Sequence, residues 1–206
     1  MATWSAWFPD VLVHVPGAPN PTIEVALCRA AREFFRRTRA WMAWLDPATT
    51  LAGDNLEYDF DLPADTDVVR LERATVGGTP LGLMPWRQIK ADPVQHDVGE
   101  RGLLSGDLLA FRLPGTFAAG EQVQALVSLM PTLAAADIPD ELADRYREVI
   151  AEGAKAQLLV IPSTTFHNPP AAAIAKAEFE RGIAQHAVDV FRSHTSQMPR
   201  AAVAWC

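Results

Sequence analysis

The side chains able to do chemistry are scattered along this sequence. His14, His96, His167, His186 and His194 occur singly, and no G-x-S-x-G, Walker loop, G-x-G-x-x-G or H-E-x-x-H is present. The strongest metal candidate is the acidic run Glu57, Asp59, Asp61, Asp65 and Asp67, because hard cations bind clustered carboxylates. Its spacing does not fit an EF-hand loop. The first three residues form the outer face of an alternating strand. The last two sit in the turn "PADTD", where Asp is expected for its local hydrogen bonds, so a solvated strand edge is the reading adopted. Cys28 and Cys206 make neither a ligand spacing nor a disulfide framework and are read as free thiols. No catalytic, metal-binding or cofactor-binding residue is therefore assigned, and no enzyme is expected. A hydrolase would have to disperse its residues through 84–125, where Asp92, His96 and Ser105 lie.

The loop "TFHNPP" tests that conclusion, since its Thr, His and Asn could be catalytic. Each of its residues except His167 has a local explanation. Asn168 caps a helix, Pro169 and Pro170 open it, Ser163 and the threonines form the loop, and Phe166 plugs the helix ends. With no nucleophile, acid pair or metal partner nearby, the stretch reads as the turn of a helical hairpin. His186, beside the apolar face of the following helix, is assigned a structural role.

Three blocks must position whatever site exists. From Asn20-Pro21 to Leu45, apolar residues recur at three- and four-residue steps (Ile23, Leu27, Ala30, Phe34, Thr38, Trp41, Leu45), which predicts one amphipathic helix. Arg29, Arg32, Arg36 and Arg39 line its other side, either as a solvated face or as a docking surface for an acidic neighbour. "NLEYDFDLP" alternates as a half-buried strand, with Leu56, Tyr58, Phe60 and Leu62 inward and Asn55, Glu57, Asp59 and Asp61 outward. A Gly77-Gly78 hairpin follows, and "DLLAFRLP" and "EQVQALVSLMP" read as two further strands; residues 84–107 are the least legible part. Helical period returns near Pro139, along Leu142, Tyr146, Val149 and Gly153. It returns again after Asn168, along Phe179, Ile183, Ala187 and Val190, and ends near Ser193.

The fold class predicted is α+β: a bundle of three main helices, an inserted small antiparallel β domain and a flexible C-terminal tail. The boundaries within the single domain 1–206 are 1–46 for the N-terminal segment and helix, 47–132 for the β-rich insertion, 133–193 for the helical hairpin and 194–206 for the tail. The tail carries Val203, Ala204 and Trp205 just before Cys206, and a Trp on a segment expected to be mobile makes an efficient anchor.

A chain that is 49% hydrophobic and 21% charged suits a packed domain, and a net charge of -7 disfavours indiscriminate binding to nucleic acid. The opening "MATWSAWFPDVLVHVPGAPNP" is interrupted by prolines and matches neither a signal peptide nor a membrane span. Synthesis in the cytoplasm and no membrane partner are expected.

The order of "FPDVLVHVPGAPNPTIEVALCRAAREFFRRTRAW", "LEYDFDLP" and "IPDELADRYREVIAEGAKAQLLVIPSTTFHNPPAAAIAKAEFERGI" resembles the head-to-tail adaptor (connector) proteins of tailed bacteriophages, of the tail tubular protein A type. The resemblance spans most of the chain outside roughly residues 84–125 and rests on an order of segments rather than on a sharp motif. It implies a structural virion protein at the head-tail junction, made in the host cytoplasm. Its ring, commonly of twelve subunits, would lie beneath the portal, extend the DNA channel and offer a platform for the tail. The implied partners are the portal protein, a tail tube or nozzle protein, further copies of the chain, and genomic DNA passing through the lumen without sequence-specific binding. No family catalytic residues are implied.

On this resemblance, Ser193, Met198, Arg200, Val203 and Trp205 are the candidate portal-docking tail. Residues 21–45 hold five Arg against two Glu, whereas 52–72 hold seven acidic residues against one Arg. Arg29, Arg32, Arg36 and Arg39 of one subunit are thus expected to meet Glu57, Asp59 and Asp61 of the next. The alternatives are a tail-completion or tail-tube ring protein and the dispersed hydrolase.

Overall fold

The computed structural model describes residues 1–50, 53–83, 102–103, 105–106 and 108–192, except for the side chains of 53–56 and 114–116. In chain order the elements are β1 (Ala2–Thr3), a 3-10 turn (Trp4–Trp7), α1 (Phe8–Leu12), α2 (Asn20–Thr38), β2 (Met42–Trp44), β3 (Ala48–Thr49), β4 (Gly53–Asp59), β5 (Thr66–Val76), β6 (Thr79–Leu83), β7 (Gly102–Leu103), β8 (Ala110–Phe117), β9 (Gln122–Pro131), β10 (Asp137–Ile138), α3 (Asp140–Leu158) and α4 (Pro169–Phe191). They fall into two units, residues 1–40 with 131–206 and residues 41–130.

The expected three-helix bundle with a small antiparallel insertion is overturned in both units. The helical unit has a fourth helix, α1, and its own two-stranded sheet, β1 with β10. The other unit holds a mixed six-stranded sheet ordered β2-β9-β5-β6-β7, with β3 also on β9, and a separate antiparallel pair, β4 with β8. The mixed character comes from β6 and β7, which run parallel through Gly82↔Gly102 and Leu83↔Leu103. Strands of two or three residues, such as β1, β2, β3 and β7, are too short to show a period, so pattern reading missed them.

The first long helix also ends sooner than its period suggested. α2 stops at Thr38, whose hydroxyl donates back to the Phe34 carbonyl, and Arg39 takes a left-handed conformation at φ 55. Its amide still closes the last turn on the Phe35 carbonyl at 2.8 Å. Arg in place of the usual Gly at this C-terminal position hid the stop. Trp41 and Leu45 continue the helical spacing by coincidence. Both are buried beside a strand: the Leu129 amide donates to the Trp41 carbonyl, and the Leu45 amide donates to the Ala125 carbonyl.

In the helical unit, α2, α3 and α4 bury Ile23, Leu27, Phe34, Phe35, Tyr146, Ile150, Phe179 and Ile183. Two glycines set how closely α3 and α4 approach. A β-carbon on Gly153 would lie 2.8 Å from the Phe179 ring and 2.9 Å from the Ala30 β-carbon, and one on Gly182 would lie 2.7 Å from Val149. Each of these two helices thus receives a side chain of the other at a glycine. Trp4, only 3% exposed, ties the N-terminal segment to this unit by donating its indole N–H to the Ala135 carbonyl at 2.6 Å.

In the β unit, the β5-β6 hairpin turns on Gly77 (φ 54) and Gly78 (φ 80), the paired positive φ values that a two-residue turn needs. β9 lies between β5 on one side and β2 and β3 on the other, and Val123, Ala125, Val127 and Leu129 bury its alternate positions.

Candidate functional site

The four arginines read as a single basic stripe have different fates. Arg32 is half-buried and donates to the Pro131 carbonyl, anchoring the chain where it re-enters the helical unit. Arg39 is the left-handed residue that ends α2. Arg29 and Arg36 are exposed and have no ion-pair partner among the described residues. Arg37, not counted in the stripe, makes a two-pronged pair with Glu180 of α4, at 3.0 and 2.6 Å, and reaches Glu33 at 3.3 Å. This pairing holds the Glu180 carboxyl below, and the Arg37 guanidinium above, their ordinary ranges.

The acidic face divides in the same way. Glu57 lies opposite Arg112 in the β4-β8 register and pairs with it at 3.0 Å. Asp59 and Asp61 are exposed and have no ion-pair partner among the described residues. β4 ends at Asp59, but burial alternates as expected on through Leu62, and Asp59, Phe60 and Asp61 all line one hollow of about 160 Å³. Leu45, Asp46, Pro47, Phe111 and Val123 are also part of its wall. The Phe60 and Phe111 rings meet at 5.2 Å, and Tyr58 stacks on Phe111 from the adjoining position at 5.5 Å. Sequence reasoning missed Asp46, which lies outside the alternating run and joins the other two aspartates only through the fold.

Several of the described residues that could do chemistry make local structural contacts. Asn168 accepts from the Ala171 amide at 3.2 Å, Thr164 donates to the Ile161 carbonyl, and Phe166 is buried. His167 is exposed in the turn between α3 and α4. His186 packs edge-on against Phe34 and Tyr146, with its Nδ1 3.8 Å from Asp189. The Ser105 hydroxyl donates to the Ala110 carbonyl and accepts from the Leu108 amide, as a turn former does. Asp65 takes a left-handed φ of 56 in its turn. Cys28 is a buried free thiol that donates to the Thr132 carbonyl, and burial pushes its pKa up. Among the described residues no three His, Cys, Asp or Glu side chains gather as a metal site, and no helix is long and apolar enough to cross a membrane. Asp92, His96 and the tail residues Ser193, Met198, Arg200, Val203 and Trp205 lie outside the described residues.

α4 carries a feature that its assigned face did not reveal. Ala172, Ala175, Phe179 and Ile183 are buried, yet Ile174, Ala177, Arg181, Ala184, Val188 and Phe191 are all exposed at alternating steps of three and four. Ile174 is 66% exposed and Phe191 72%. That spacing is the seam of one helix against another. It could have been found by testing α4 for a second apolar face after the first was assigned. No protein-family model matches the chain, and no curated protein is similar to it.

Proposed function

We propose that the chain is a structural assembly protein of the head-to-tail adaptor type, a subunit of a ring beneath a viral portal that extends the DNA channel and carries the tail. The observation that carries this reading is the double-faced α4. One apolar side packs against its own unit, while the opposite side exposes Ile174, Val188 and Phe191 around the ion-paired Arg181 and leads in sequence into residues 193–206. Three large apolar side chains exposed on one side of a helix suit a surface that meets another protein. The arrangement of a helix, a long β unit and a returning helical hairpin also suits an adaptor, as does a net charge of -7 that lets DNA pass without gripping it.

The test is the mass of the pure chain alone and mixed with the portal protein of its particle, repeated with a chain truncated after Arg192. The full chain is expected to join the portal in a fixed ratio. The truncated chain should keep its melting temperature and lose attachment. A full chain that ignores the portal overturns the reading. The mixed six-stranded sheet supports a second reading, a tail-completion or tail-tube ring protein, which would bind tail protein and not portal.

A further inference from the structure

The aspartate-lined hollow of the β unit has a shape and chemistry that the adaptor reading alone does not explain. Its base is aromatic and aliphatic, from Phe60, Phe111, Leu45 and Val123, and three exposed aspartates, Asp46, Asp59 and Asp61, stand in its wall. None of the three has an ion-pair partner among the described residues, whereas Glu57, two positions from Asp59, is already paired with Arg112. A metal ion is a poor occupant, because among the described residues no three His, Cys, Asp or Glu side chains gather closely enough to hold one. A guanidinium suits the site. It is flat, weakly hydrated, stacks on aromatic faces and still makes charge-assisted hydrogen bonds to carboxylates at its edge.

The complementary group is present in the same sequence. Of the five arginines from 29 to 39, Arg32 is held by the Pro131 carbonyl, Arg37 by Glu33 and Glu180, and Arg39 terminates α2. Arg29 and Arg36 remain exposed and without an ion-pair partner among the described residues. They stand seven residues apart on one side of α2, about 10.5 Å along its axis. We propose that the hollow is a guanidinium socket filled by Arg36 of a second copy of this chain, with Arg29 lying along its acidic rim. Such a contact joins two different surfaces of one molecule and therefore propagates head to tail, as a ring requires. The inference rests on the ring reading and adds the residues that close it.

Two measurements on the full chain test the socket. In the first, ethylguanidinium is titrated while the backbone amide signals of Phe60, Phe111 and Ala125 are followed. Saturable shifts are expected in the wild type, weakened about tenfold in Asp59→Asn/Asp61→Asn, the loss that follows when a charge pair is removed. Absence of saturation, or equal affinity in the variant, overturns the socket.

In the second, self-association is measured by sedimentation. Arg36→Glu and Asp61→Arg should each weaken it at least about tenfold, and the double variant Arg36→Glu/Asp61→Arg should recover part of the loss. Association indifferent to these changes overturns the socket. A wild type that binds ethylguanidinium but never self-associates rules out the second copy as occupant. Incorporation of Asp59→Asn/Asp61→Asn into a portal-bound ring as readily as the wild type rejects the socket and leaves the ring reading standing. Failure of the wild type to join the portal rejects the ring reading itself.

Discussion

The helical unit and the β unit divide charge as unevenly as they divide architecture. Residues 41–130 hold thirteen acidic side chains against six basic ones, while the rest of the chain holds twelve of each, so the entire net charge of -7 resides in the β unit. The helical unit is keyed by glycines and aromatic rings into a close fit. The β unit leaves a hollow open beside three aspartates without ion pairs among the described residues. Packing constraints are therefore densest in the helices, and the carboxylates used in the proposed socket lie in the β unit.

The largest effect that would sharpen this contrast comes from Phe34. It is fully buried between Phe35, Tyr146 and His186. Phe34→Ala should lose about 3–5 kcal/mol of unfolding free energy in a denaturant titration. A loss below about 1 kcal/mol would show that the aromatic cluster around Phe34 contributes little to stability.

Gly153→Ala comes next. The added methyl improves helix propensity by about 1 kcal/mol, but it collides with Phe179 and Ala30 at 2.8 and 2.9 Å, from two different helices. Overpacking of that kind costs about 1–3 kcal/mol, so a net lowering of the melting temperature is expected. A stabilised variant would show that the helices can move apart cheaply.

The Arg37–Glu180 pair gives a smaller, pH-dependent effect. Its carboxyl titrates below the ordinary range because the guanidinium favours the charged form. The pair's contribution is therefore present above the unfolded-state carboxylate pKa and lost as pH falls through the lower folded-state value. Both side chains are more than a third exposed, which limits the contribution to about 0.5 kcal/mol. Comparing Glu180→Gln with the wild type at neutral and acid pH checks the sign: the difference should shrink in acid.

The smallest effect lies on the other side of the comparison. Asp59→Asn should change folding stability by less than about 0.5 kcal/mol, because the carboxylate is exposed and without an ion pair among the described residues. A loss above 1 kcal/mol would mean that the acidic wall is structural.

Much of the long-element skeleton was legible because its period was sustained. The capping role of Asn168 and part of each helix face, Tyr146 and Gly153 on α3 and Phe179 and Ile183 on α4, followed from spacing and residue type, whereas Leu142, Val149, Ala187 and Val190 are only partly buried. The limits of α2 were not legible, since Arg39 adopts a conformation its side chain does not advertise, and Trp41 and Leu45 keep helical spacing inside a β unit. The candidate surfaces were half legible. Charge runs identified the two stripes. Only packing separates Arg36 from Arg32, or Asp59 from Glu57, because a neighbour distant in sequence decides whether a charge is already satisfied.

The proposed ring is tested by electron cryomicroscopy of phage particles assembled in the presence of this chain. If the proposed adaptor role holds, the expected result is a closed ring of this chain between portal and tail, with the acidic hollow of each subunit against α2 of the next. A particle in which the chain is absent from the head-tail junction, or in which neighbouring copies do not touch through these surfaces, would contradict it.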